Sequence, residues 1–361
     1  MKKILAVTLS IVLCFALVAC SSGTNQASVE QPGNSENTQA SQPGQVYKIK
    51  CSISPGGLKP EESAEIMYTD VFKKYVEENS KGAIVVEMYP SNQLGSPKDV
   101  VQSIVSGNVQ MGLYDISMIT SYYPNTMLLA TPGLFKSVKE CDDILKSAWA
   151  QDFYKDIKEK TGMRLLGAHS KGFRCFTTKN KELKTYKDAK GVTFRVMESP
   201  VYIKMVEALG AHAVPMPGSE MYVAMQNGVV DGQENAVNNI LQDKTYEVQK
   251  YLVLDEHAAG ITGILMNGAF YDSLHGDLQK VIDEAHELAV VEAAKVIENR
   301  NAEGVELLKE YGMSVYQPTQ EEKEEWQNTV LAECEKFVRS EIGDEIFDGL
   351  VKVLEDYRAK N

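Results

Sequence analysis

Arginine is scarce in this chain. There are six, Arg164, Arg174, Arg195, Arg300, Arg339 and Arg358, against thirty-one lysines. Catalytic motifs are missing too. None of the five histidines sits in an H-E-x-x-H pattern, and no G-x-S-x-G occurs, so the zinc peptidase and serine hydrolase signatures are absent and the chain reads as a non-enzyme. A glycosidase-like pair of carboxylates stays open, because acids are abundant. The formal net charge of −13 leaves no basic footprint for nucleic acid. After residue 20 no apolar run approaches the ~20 residues of a spanning helix. No internal repeat is visible, which excludes solenoids and propellers. Of the six cysteines, the four beyond residue 20 are too widely spaced for a zinc pattern, and the sequence calls for no cofactor or metal.

The first residues are informative. Lys2 and Lys3 precede the apolar stretch Ile4–Val18, which is too short for a confident membrane span and reads as a secretory signal over residues 1–19. Leu17-Val18-Ala19-Cys20 matches the bacterial lipobox, so Cys20 is the expected lipidation site. Residues 20–46 are rich in Ser, Gln, Asn, Gly and Pro, carry almost no large apolar side chain, and read as a flexible leash. The expected location is extracytoplasmic, anchored by lipid to the outer face of the cell membrane or to the periplasm. Cys51, Cys141, Cys175 and Cys334 remain beyond Cys20, either as buried thiols or as two disulfides in one of three connectivities.

From Tyr47 onward, strand and helix patterns alternate. Strands are expected over 47–53, 83–89, 109–114, 163–168, 173–178, 192–197 and 261–266, with helices over 61–79, 97–106, 138–160, 200–209 and 219–227. Ser96-Pro97 and Ser199-Pro200 are helix-start signals. The alternation implies an α/β fold with mostly parallel strands. Residues 276–311 give the longest helical pattern, on the order of 50 Å at ~1.5 Å per residue, either crossing two lobes or broken near Gly304. Residues 319–358 read as two amphipathic helices.

Two of the rare arginines fall in strand-like segments, Arg174 in GFRCFTT and Arg195 in GVTFRVM. A buried guanidinium needs a partner, and its planar fork matches a carboxylate. Each arginine therefore either grips an anionic ligand or pairs with an internal acid. Further on, SEMYVAMQNGVVDGQEN (219–235) ends in Asn235, which offers both a donor and an acceptor to a ligand, or else stabilises a turn.

These segments carry a family resemblance. MYPSNQLGSPKDVVQSIVSGNVQMGL (88–113), YYPNTMLLATPGLF (122–135), GVTFRV (191–196) and EMYVAMQNGVVDGQEN (220–235) resemble the DctP-type solute-binding proteins of tripartite ATP-independent periplasmic (TRAP) transporters. The likeness runs over about 47–330. It implies a two-lobed α/β binding fold with interleaved lobes and a long helix crossing both. We place lobe I approximately at 47–170 and 261–300, and lobe II at 171–260 and 301–361.

The resemblance further implies that Arg195 makes the salt bridge to a ligand carboxylate, that Arg174 assists, and that Asn235 and Asp115 contact the ligand. Glu198, close to Arg195, pairs with it or meets a ligand amine. The family's usual proline after Gln-Glu-Asn is Ala236 here, and Gly218 stands where some acid-binding members carry an aromatic. The expected ligand is a small organic acid such as a C4-dicarboxylate or a sugar acid. The expected partners are integral membrane TRAP subunits and the membrane itself, with no nucleic acid. A sensing lipoprotein that hands its ligand to a signalling system is the alternative.

Overall fold

The computed structural model describes residues 45–361. The expected signal peptide (1–19), the lipidation at Cys20 and the leash up to residue 44 lie outside the described residues.

The amino-terminal half alternates as expected: β1 (Tyr47–Ile53), α1 (Ala64–Asn79), β2 (Ile84–Tyr89), α2 (Pro97–Val105) and β3 (Met111–Asp115). Local chemistry sets the helix starts. Ser63 Oγ accepts from Ile66 N at 3.4 Å at the head of α1. Ser96 caps α2 reciprocally with Asp99, and Pro97 takes the first helical position, where no intrahelical N–H is needed. The single helix expected over 138–160 is two, α3 (Val138–Leu145) and α4 (Ala148–Thr161). Ser147 divides them: its Oγ donates to Ile144 O at 2.7 Å and accepts from Ala150 N at 3.4 Å, ending one helix and capping the next.

The next strand, β4 (Met163–Thr178), joins two expected strands into one of 16 residues. It is followed by β5 (Thr193–Val196), α5 (Pro200–Ala208), β6 (His212–Pro215), α6 (Gly218–Gln226), β7 (Gly232–Ala236) and α7 (Val237–Gln242). Then β8 (Tyr251–Asn267) extends ten residues ahead of the expected strand. After it come α8 (Gly268–Ser273), α9 (Gly276–Glu310), β9 (Ser314–Tyr316), α10 (Gln320–Ile342) and α11 (Asp344–Arg358).

All nine described strands form one sheet in the order β2-β1-β3-β8-β4-β7-β5-β6, with β9 beside β8. The flanks pair in parallel, but β3–β8, β8–β4 and β4–β7 are antiparallel. The sheet is thus more mixed than strand–helix alternation alone implies. The long strands β4 and β8 join the β2-β1-β3 side to the β7-β5-β6 side. Their pairing shifts register between Ser170 and Gly172 and between Arg174 and Phe176, where the chain passes from one side to the other.

On the β1–β3 side, Tyr68, Phe72 and Val76 of α1 share a core with Ile282, Ala285, Ala289 and Ala293 of α9. The helix α9 is unbroken over 35 residues. Its far end reaches the opposite side, where Leu308 packs with Val237, Ile240 and Leu241. Gly304 does not end the helix. A Cβ there would stand 2.6 Å from Val237 Cγ1, so glycine lets α7 and α9 approach closely. The tail helices clasp both sides: α10 packs on α5 and β8, and Arg358 at the end of α11 bonds Glu140 Oε1 of α3 at 2.6 Å. Cys51, Cys141, Cys175 and Cys334 are all free and buried. Burial pushes the Cys51 and Cys334 thiols up to about 12, far from reactive.

Candidate functional site

Parallel strands direct their carboxyl ends toward one crevice, and ligands of open α/β sheets bind outside those ends. Here the ends of β1, β3, β5, β6 and β7 converge on a cavity of about 300 Å³. That is within the range of small-molecule sites. Ser54 and Pro55 follow β1, Asp115 ends β3, Met197 and Glu198 follow β5, Met216 and Pro217 follow β6, and Asn235 lies near the end of β7. Lys171, Glu65, Asn239, Gln242 and Asp243 are also on the lining.

Arg195 sits in β5, opposite Val214 of β6 and Gln233 of β7. It is 4% exposed. Its Nε and Nη2 donate to one acceptor, Met216 O, at 3.1 and 2.9 Å. Among the described residues no carboxylate forms an ion pair with it. Burial pushes the guanidinium down to about 10, with Glu234 opposing that and Arg174 adding to it, so it stays charged at neutral pH. A buried cation bonded only to a carbonyl at a cavity wall is a strong receptor for an anion.

Arg174 is placed differently. It does not line the cavity. It lies behind the wall, 1% exposed, with Nε bonded to Glu234 Oε2 and Nη2 donating to Glu234 Oε1 at 2.9 Å and Glu234 O at 2.7 Å. Burial alone would lower its basicity, but Glu234, Tyr202 and Asp115 outweigh burial and hold it well above the usual range. Glu234 is in turn met by His257 Nε2 at 3.3 Å, and His257 Nδ1 donates to Asp255 Oδ2 at 2.6 Å. Against burial, Arg174 and His257 hold Glu234 down to about 2, while Asp255 and Glu234 lift His257 to about 9. All four groups are fully or almost fully buried. They form a rigid charged spine along β4, β7 and β8.

Asp115 connects spine and cavity. Its Oδ1 accepts from Ser117 N at 3.1 Å and Ser117 Oγ at 2.8 Å. Its Oδ2 stands 3.5 Å from Lys171 Nζ and 3.9 Å from Arg174 Nη1, and accepts no hydrogen bond among the described residues. Asn235 Oδ1 accepts from Ala236 N at 3.0 Å, leaving Nδ2 for the cavity. A proline at 236 would remove that N–H, so the alanine fixes Asn235 as a donor. Gly218 opens α6 over Arg195, and a Cβ there would lie 3.8 Å from Arg195 Nη2. An aromatic at this position would cover the guanidinium; glycine leaves it accessible from the cavity. Glu198 is exposed at the cavity; among the described residues it makes no ion pair with Arg195 but lies within its electrostatic reach.

Of the expected site residues, Arg195, Asn235, Asp115 and Glu198 come together at the cavity, and Arg174 supports it from behind. Sequence reasoning missed Lys171, three residues before Arg174 in the same strand, Asn239 and Gln242 of α7, and Asp243 just past its end. That short helix follows Asn235 directly, which was the available signal. Asp243 lines the cleft as an exposed residue, and its carboxyl is raised to about 6, by lost solvation first and by Glu65 second, with Arg195 and Lys171 opposing.

The family model described as bacterial extracellular solute-binding protein, family 7 (DctP) matches residues 56–341. The chain belongs to this family. A solute-binding protein of Verminephrobacter eiseniae is 32% identical over 247 residues, covering 68% of this chain and 73% of that one. Among solved structures, the sugar acid binding protein of Advenella mimigardefordensis in complex with galactonate superposes with a TM-score of 0.81 at 26% identity, covering 86% of this chain and 99% of that one. A TRAP periplasmic solute-binding protein of Shewanella oneidensis with bound succinate gives 0.79 at 26% identity, covering 85% and 99%. The DctP fold is thereby two-lobed and α/β, with β4 and β8 crossing between the lobes and α9 packed across both. The family and these neighbours are described as solute-binding proteins.

Proposed function

We propose that this DctP-family protein is a lipid-anchored extracytoplasmic receptor. It captures a small organic acid between its lobes through Arg195 and delivers it to TRAP-type membrane subunits. The observation that carries this reading is the pairing of Arg195: a buried guanidinium at the cavity wall whose two donors rest on one backbone carbonyl. A ligand carboxylate supplies the missing counter-charge. Asn235 adds a donor through Nδ2. Arg174 acts as a positioning residue, holding β7 and Asp115 in place through Glu234. The galactonate and succinate bound by the two structural neighbours support a carboxylate as the recognised group.

The physical sequence is closure by differential affinity. A ligand touching both lobes favours the closed state by as much as it binds that state more tightly. Cys20, modified by lipid and made the first residue by removal of residues 1–19, keeps the receptor beside its membrane partner, and residues 20–46 supply the reach. Thermal unfolding against a panel of organic acids tests the capture step. A true ligand at 100 times its Kd stabilises by about 2.7 kcal/mol, and a panel without any stabilising acid would overturn the reading. Metabolic labelling with a fatty acid, lost in Cys20→Ser, tests the anchor.

A further inference from the structure

Which acids enter depends on the other charges of the cleft, and the inference rests on the Arg195 reading above. Four carboxylates line the cavity, Glu65, Asp115, Glu198 and Asp243, against two cations, Arg195 and Lys171. Lys171 already faces Asp115 at 3.5 Å, and Arg174 behind the wall is engaged by Glu234. Once Arg195 meets a ligand carboxylate, no lining cation remains to balance Glu65, Glu198 and Asp243. A second ligand carboxylate would then stand in a negative field, where like charges are unfavourable. Discrimination by such repulsion is as effective as discrimination by attraction.

The chemistry of that lining indicates what the far end of the ligand carries. Glu65, Glu198 and Asp243 line the cavity as carboxylates, and an ionised carboxylate accepts hydrogen bonds but donates none. A ligand hydroxyl or ammonium matches such acceptors, and a second carboxylate leaves them unmatched.

We infer that the cleft selects a monocarboxylate whose other end bears hydrogen-bond donors, hydroxyl or ammonium, and rejects a second carboxylate. Arg195 takes the acid end. The Glu65–Asp243 side takes the donor end.

The test is calorimetry at pH 7.5 with the mature protein and four probes: galactonate, 4-hydroxybutyrate, 4-aminobutyrate and succinate. The tightest of the three donor-bearing monoacids is expected to bind at least tenfold more tightly than succinate. The hydroxyl and ammonium probes separate the two donor sources. Glu65→Gln and Asp243→Asn, singly and together, are expected to narrow that ratio at least threefold while the monoacid still binds; the single variants serve if the double variant does not fold. Succinate binding as tightly as the monoacids, or a ratio unmoved by both substitutions, overturns the inference and leaves the Arg195 reading standing. No heat with any of the four overturns the Arg195 reading beneath it.

Discussion

Arg174 of β4 and Glu234 of β7 form a diagonal cross-strand pair: Arg174 lies opposite Ala236, Glu234 lies opposite Phe176, and the guanidinium reaches back to both oxygens of the carboxylate. Neither residue has solvent to fall back on. Removing one partner of such a pair leaves an uncompensated buried charge, at a cost of about 3–5 kcal/mol. Glu234→Gln is therefore expected to lower stability by roughly that amount, read from urea unfolding. A loss under ~1 kcal/mol would mean that the spine is not structural.

The same spine sets a pH dependence. His257 has its ordinary value near 6.5 when unfolded and about 9 in the fold, so its contribution is complete below 6.5 and is lost as pH rises through 9. Glu234 moves from 4.5 to about 2, so its contribution is complete above 4.5 and is lost as pH falls toward 2. Melting temperature is expected to decline from pH 6.5 to 9, and His257→Gln is expected to flatten that decline. An equally steep alkaline limb in the variant would assign it to other groups.

Much of this architecture is readable from sequence, and the failures have a common cause. Capping residues such as Ser96-Pro97 and the 3.6-residue stripe of α1 announce their elements, because surface helices obey local rules. The first ten residues of β8 were missed because Asp255, Glu256 and His257 interrupt its apolar pattern, and Asp255 and His257 belong to the buried spine. Arg195 was legible as a rare buried guanidinium. The burial of Arg174 gave no hint of which acid it meets, since Glu234 lies 60 residues away. The cleft carboxylates Glu65 and Asp243 were invisible among 50 acids until the fold brought them together.

Gly304 tests the crossing of the long helix. In isolation, Gly→Ala inside a helix stabilises by about 1 kcal/mol. Here the added methyl would meet Val237 Cγ1 at 2.6 Å and Leu241 Cδ1 at 3.0 Å. Overpacking of about 1–3 kcal/mol is expected to win, so Gly304→Ala should be neutral to destabilising, and Gly304→Val clearly destabilising. A rise in melting temperature for the alanine variant would show that α7 yields freely.

Asp243 gives binding its own pH signature. Its carboxyl, raised to about 6, takes up a proton between pH 7.5 and 5 and removes a negative charge from the cleft. Affinity for a bound hydroxy acid is expected to rise a few-fold over that interval, and to rise less in Asp243→Asn. Titrations at both pH values decide, and a rise of the same size in the variant would point to another group.

The most direct test is calorimetry of the acid identified by the thermal panel, with the parent protein and with Arg195→Met and Arg195→Lys. A charge-assisted bond of about 1.5–3 kcal/mol, strengthened in a closed cleft, predicts at least a tenfold loss for methionine. Lysine should recover only part of it, because it keeps the charge without the fork. Affinity unchanged in Arg195→Met, with the fold intact by circular dichroism, would contradict the account.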